Sequence, residues 1–148
     1  MIFGVWEERQ SNPNTHPNSF RADDNGAIEV HLLRNRFNHY VVDGAINGYD
    51  VTFLLDTGAT NVAIPAHLAS RLNLSRGYRH QVMTANGSAV AFGTQLNTLT
   101  IGDIFLQDIR ASINPSMGGD KILLGMSALK EIEFAQRGNR LILRQYRQ

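Results

Sequence analysis

From Ala27 onward the chain alternates apolar and polar positions in short runs cut by Gly and Asn, the two-residue period of strands rather than the wider period of helices. Ile28, Val30 and Leu32 alternate with Glu29 and His31, which predicts a half-buried strand. Tyr40 to Ile46 and Tyr49 to Leu55 flank Asn47-Gly48, a pair in which both residues tolerate positive φ, so a tight hairpin is expected there. Residues 80–92 and 94–101 read as strands, with Ala85-Asn86-Gly87 and Gly93 as breaks, and Gly102-Asp103 turns the chain into Ile104 to Leu106. Ala111 to Ile113 and Ile122 to Leu124 add two short strands, and Glu131 to Ala135 pairs with Arg140 to Leu143 through Gly138-Asn139. Two short helices fit the remaining apolar spacing. One spans Ile64 to Leu72, with Pro65 near its first turn and Leu68 and Leu72 on one face; the other spans Met126 to Lys130. The expected fold class is therefore all-β, with residues 27–148 as one domain.

Residues 1–26 break this pattern. Met1 to Trp6 is apolar but too short to span a bilayer, which takes roughly 20 apolar residues. No basic segment precedes it, as a signal peptide would require. Glu7 to Gly26 is polar and contains Pro13 and Pro17, so the segment is expected to be a flexible tail or linker. Its apolar start is consistent with the stub of a removed anchor, a docking strand or a plain boundary.

The 148 residues are 43% hydrophobic and 18% charged, enough chain for a core of its own. Fourteen basic residues against thirteen acidic ones give no field that would select nucleic acid. Arg137, Arg140, Arg144 and Arg147 make the C-terminus locally basic and read first as solvated strand residues. With no cysteine, neither disulfides nor a thiolate zinc site can form, and the redox compartment is not encoded.

The chemistry concentrates in Phe53-Leu54-Leu55-Asp56-Thr57-Gly58-Ala59-Thr60, an apolar strand that ends in a carboxylate followed by a hydroxyl and small residues. Gly58 and Ala59 let backbone and substrate approach closely, and Thr57 offers a hydroxyl that can lock the loop. The bland alternative is a strand-end carboxylate closing an Asx-turn, which favours the glycine that follows. Hydrolysis by carboxylates needs two of them, one ionised to activate water and one protonated to donate to the carbonyl oxygen.

Leu54-Leu55-Asp56-Thr57-Gly58-Ala59-Thr60 resembles the signature of retropepsin-like aspartic proteases, the viral-type homodimeric branch of the pepsin clan. Met83-Thr84-Ala85-Asn86-Gly87 stands where that family places its flap, the hairpin that closes over substrate. Ile122-Leu123-Leu124-Gly125-Met126-Ser127 resembles the later element that threads beneath the catalytic loop, with Leu124 and Gly125 as its support. Gly87 lies 31 residues after Asp56 (87 − 56) and Gly125 lies 69 after it (125 − 56). The resemblance spans about residues 28–144. It implies a closed β-barrel, one half of an acid protease, with one or two short helices. It further implies a homodimer in which Asp56 of each copy forms the dyad, Thr57 interlocks beneath, and Gly87 permits backbone contact with substrate. The substrate would be an extended protein or peptide segment. No cofactor or metal is implied. The Thr-Ala-Asn-Gly and Leu-Leu-Gly-Met-Ser segments are similar to a bacterial subgroup often tethered to membranes, with the catalytic domain on the periplasmic or extracytoplasmic face.

Departures bound the resemblance. Thr60 and Asn61 stand where many viral members carry acidic residues, and Met126 and Ser127 follow Gly125 where those members carry an arginine, so that ion-pair network is absent. Val62, Met83 and Ile122 are expected to line an apolar cleft. The five histidines show no paired metal spacing. Asp103 and Asp108 lack the Thr-Gly context of a second catalytic acid, and no Gly-x-Ser-x-Gly supports a serine nucleophile. One Asp-Thr-Gly per chain therefore predicts two chains per site. The alternative is a non-catalytic dimeric β-barrel that binds or scaffolds peptides.

Overall fold

The computed structural model describes residues 11–21, 26–84 and 87–146. Strands β3 (Val41–Ile46) and β4 (Tyr49–Leu55) form the hairpin expected at Asn47-Gly48, whose φ angles of 52° and 82° show why this dipeptide is there. β5 (Val62–Pro65), β7 (Gly87–Ile101), β8 (Ile104–Asn114) and β9 (Lys121–Leu124) complete a sheet in the order β3-β4-β9-β5-β8-β7. Ala45 and Ile46 then pair with Thr100 and Leu99, so the sheet closes into a six-stranded barrel. β6 (Arg79–Thr84) is attached to β7 alone and extends outward as a hairpin arm. The all-β barrel with two short helices, α1 (Ala66–Ala69) and α2 (Met126–Leu129), is the architecture anticipated.

Phe53, Ile64, Leu96, Leu99, Ile101, Ile113, Ile122 and Leu124 are fully buried and fill the barrel. Outside it lies a second sheet, ordered β1-β2-β11-β10, from β1 (Ser19–Arg21), β2 (Ile28–Leu33), β11 (Arg140–Gln145) and β10 (Glu133–Arg137). The alternation read at Ile28 to Leu32 places Val30 and Leu32 inward, opposite the buried Leu143 and Leu141. Arg144 lies on the opposite face of β11, where its Nε pairs with Glu29 Oε2 at 3.2 Å and its guanidinium stacks over Tyr146. It is partnered rather than merely solvated.

Four expectations change. The tail does not begin the domain at residue 27: residues 11–21 are fastened to it. Asn14 is buried, its Nδ2 donates to Leu33 O (2.9 Å) and Val41 O (2.8 Å), and its Oδ1 accepts from Leu33 N (2.8 Å). Side-chain amides replace apolar contacts in this segment, so hydrophobic periodicity gave no sign of it. The first helix is shorter than Ile64 to Leu72, because Ile64 and Pro65 complete β5 by parallel pairing with Ile113 and Asn114. Gly93 does not break its strand; it pairs with Ser112 while its carbonyl accepts from Gly77 N at 2.6 Å. The two short strands after Gly102 are one, since β8 continues through Asp108 at φ 55°.

Candidate active site

Asp56 stands at the mouth of the barrel, one residue beyond β4. Parallel pairing of Leu55 with Leu124 carries the chain to that point, and the Asp56 amide then donates to Leu124 O at 3.1 Å. On its far side β9 meets β5, where Ala63 pairs with Leu123. The strand that carries Leu124 thus lies between the strand entering the loop and the strand leaving it.

The loop is closed by its own backbone. Ala59 N donates to Asp56 O at 3.1 Å, and the Asp56 carboxylate Oδ1 accepts from Gly58 N at 2.9 Å. The Asx-turn weighed as the bland alternative is present, and it does not consume the group: the second carboxylate oxygen remains for other chemistry. Asp56 itself is half-buried, while Thr57 and Gly58 are exposed and Ala59 is half-buried.

Gly125 determines how closely the loop can lie on α2. An ideal Cβ on it would overlap Asn61 O and stand 2.7 Å from Ala59 O, so only glycine fits. The helix then grips the loop: Met126 N donates to Ala59 O (2.8 Å) and Ser127 N to Thr60 O (2.9 Å). The buried Ser127 hydroxyl donates to Arg110 O at 2.7 Å and accepts from Val62 N at 2.9 Å. This hydroxyl ties the start of β5 to β8 beneath the loop. Sequence reading placed Ser127 in the Leu-Leu-Gly-Met-Ser resemblance and among the departures from the viral pattern; its burial, which gives the hydroxyl its role, has no signal in the sequence.

The expected flap residues fall on the β6–β7 hairpin, in which Met83 pairs with Ser88 and Thr84 with Gly87. Met83 is 82% exposed, an apolar side chain presented to solvent rather than to the core. Gly87 adopts φ 107°, which a side chain would strain. Ala85 and Asn86 lie outside the described residues. A His80 ring nitrogen is 3.3 Å from Ser112 Oγ, itself 3.5 Å from Asn61 Nδ2, so polar side chains link the hairpin base to the end of the Asp56 loop. Val62 and Ile122, expected in a cleft, are wholly buried in the core. Their pairing parity turns both side chains into the barrel.

Among the described residues no group of three or more His, Cys, Asp or Glu side chains is close enough to hold a metal ion. Nor does any helix among them have the length and apolarity to cross a membrane.

The sequence profile described as gag-polyprotein putative aspartyl protease matches residues 42–131, from the first barrel strand through α2. The chain belongs to that family. The chain is 35% identical over 118 residues to an uncharacterized protein of the cobV 5' region in a Sinorhizobium species, a match covering 78% of the chain and 51% of the relative. It is 29% identical over 109 residues to an uncharacterized protein of Rickettsia prowazekii (strain Madrid E), covering 71% and 46%. The chain thus spans about half the length of these curated relatives. Among solved structures, a retropepsin-like aspartic protease from Rickettsia conorii superposes with a TM-score of 0.70 at 26% identity, covering 87% of this chain and 95% of that one. The EIAV protease, solved with the inhibitor HBY-793, shares the fold at a TM-score of 0.51 and 22% identity, with 65% and 89% covered.

Proposed function

We infer that the protein is an aspartic endopeptidase whose active unit is a homodimer, with one Asp56 from each copy forming the catalytic pair. The observation that carries this reading is the Asp56 carboxylate, held half-exposed at the barrel mouth by Gly58, Leu124 and the Gly125–Ser127 grip, in a family of aspartyl proteases. In the pair, one ionised carboxylate removes a proton from water as the water oxygen attacks the peptide carbonyl carbon. The other, protonated, delivers its proton to the carbonyl oxygen, and collapse of the tetrahedral adduct expels the amine with a proton. Two carboxylates a few ångströms apart share one proton because like charges repel at that distance.

The substrate binds extended beneath the β6–β7 hairpins, where Gly87 and its neighbours offer backbone contacts and Met83 offers an apolar surface. With Thr60 and Asn61 in place of acidic residues, side-chain selection near the loop does not follow the viral pattern. Thr57 of each copy supports the loop of the other.

The test is cleavage of an unfolded protein or peptide library by the purified chain and by Asp56→Asn, with new termini identified by mass spectrometry. Loss of all cleavage in the variant is expected, together with loss of binding to a statine-type transition-state mimic. Cleavage that survives Asp56→Asn would sink the enzymatic reading, and a peptide-binding barrel would then account for the fold.

A further inference from the structure

We propose that the substrate cleft holds a primary-amide subsite at Asn61, and that His80, acting through Ser112, is the positioning residue that turns the Asn61 side-chain oxygen toward substrate. The proposal rests on the peptide-site reading above and names the side chain selected there, asparagine or glutamine.

Strand pairing puts these residues on one face of the sheet. Leu54 pairs with Leu123, Leu123 with Ala63, Ala63 with Ser112 and Ser112 with Gly93, a row that crosses β4, β9, β5, β8 and β7. Residues directly opposite one another project to the same side, so the row faces away from their buried neighbours Val62, Ile113 and Ile122. It begins two residues before Asp56 and ends where the β6–β7 arm departs, with Gly93 N donating to Tyr78 O at 2.8 Å. Asn61 reaches Ser112 from the Asp56 loop, and His80 reaches it from the arm. Between them Ala63, Ala91 and Gly93 are small, which leaves space over the row for a substrate side chain.

The last acceptor fixes the direction of every hydrogen bond in this chain of side chains. His80 Nδ1 is 3.3 Å from Tyr78 O, and a carbonyl oxygen only accepts, so Nδ1 carries the ring proton. Nε2 of the neutral ring is then an acceptor, and Ser112 Oγ donates to it at 3.3 Å. With its proton committed, Ser112 Oγ accepts from Asn61 Nδ2 at 3.5 Å. Ser112 is buried, so water scarcely competes for its hydroxyl.

Asn61 Nδ2 therefore faces inward and Oδ1 outward. Among the described residues Oδ1 makes no hydrogen bond, and Asn61 is only half-buried. One Nδ2 hydrogen goes to Ser112; the other lies beside Oδ1 and points outward with it. A donor and an acceptor side by side match a primary amide, whose N–H and C=O complete a pair of parallel bonds. A carboxylate has no hydrogen to give Oδ1, and an aliphatic chain leaves both atoms unpaired. Removing the His80 acceptor frees the Ser112 proton to turn to Asn61, where only Oδ1 can accept it. The amide then rotates by half a turn and presents its NH2 to substrate.

The experiment starts from a peptide library and takes members that the full chain cleaves or that its Asp56→Asn form retains, identified by mass spectrometry. At the selected position glutamine is compared with its methyl ketone, in which CH3 replaces the amide NH2 at equal charge and similar size. The parent should favour glutamine by roughly tenfold in kcat/KM, chiefly through KM. His80→Leu and Asn61→Leu, with folding checked by circular dichroism, should bring that ratio near unity. His80→Gln keeps an acceptor near the Nε2 position and should keep the ratio. Nitrogen NMR of the neutral His80 ring should place its proton on Nδ1, a readout that needs no substrate. A parent indifferent to the ketone, a His80→Leu variant that slows both peptides equally and leaves their ratio intact, or a ring proton on Nε2 would each overturn the proposal. Failure of the protease reading looks different. The parent would then not cleave, or cleavage would survive Asp56→Asn, and the glutamine preference is read instead as the ratio of Kd values on the Asp56→Asn chain; a chain that neither cleaves nor retains any peptide overturns both.

Discussion

Gly125 and Asn61 are in backbone contact so close that a Cβ on the glycine would overlap the asparagine carbonyl oxygen. The contact lets α2 receive the loop that carries Asp56. It fixes the carboxylate by steric fit as well as by hydrogen bonds. Gly125→Ala should cost about 1–3 kcal/mol, the range for overpacking where the neighbour is backbone. Denaturant unfolding monitored by circular dichroism checks it; a variant as stable as the parent would mean that the loop lies off the helix.

Ser127 offers a finer test of the same grip. Ser127→Ala removes the bond to Arg110 O and leaves the buried Val62 N–H without its acceptor, an expected loss of about 1–3 kcal/mol. Ser127→Thr retains the hydroxyl and should recover much of that stability. Equal losses in the two variants would show that volume, not hydrogen bonding, determines the position.

At Asp56 the stability and activity consequences should separate. Asp56→Asn keeps an oxygen to accept from Gly58 N, so its unfolding free energy should stay within about 0.5 kcal/mol of the parent while cleavage disappears. Asp56→Ala loses the turn as well and should cost about 1 kcal/mol. Comparable stability for both variants would argue that the Asx-turn contributes nothing.

The N-terminal segment makes a prediction opposite to that for a loose tail. Asn14→Ala should destabilise the domain by about 2–4 kcal/mol, because three hydrogen bonds of this buried side chain to Leu33 and Val41 are lost together. Limited proteolysis gives the second measurement: residues 11–21 should resist cleavage in the parent and become sensitive in Asn14→Ala. A parent cleaved rapidly within 11–21 would contradict the docked strand.

What the sequence by itself determined was local. Asn47-Gly48 specified a hairpin because two successive positive φ angles admit few residue types, and the alternation at Ile28 to Leu32 specified which side of β2 faces inward. Phe53 to Thr60 marked the loop, and resemblance to the retropepsin-like family marked Leu123-Leu124-Gly125 as its support. Tertiary structure decided the rest through partners far along the chain. Val62 and Ile122 look equally suited to a cleft or a core until strand pairing turns them inward. Asn14 seems a loop residue until Leu33 and Val41 supply its hydrogen bonds, and Ser127 a neutral replacement until Arg110 and Val62 enclose it. Polar side chains gain structural roles only when burial removes water as the competing partner, and burial is a property of the folded assembly of strands, not of any one segment.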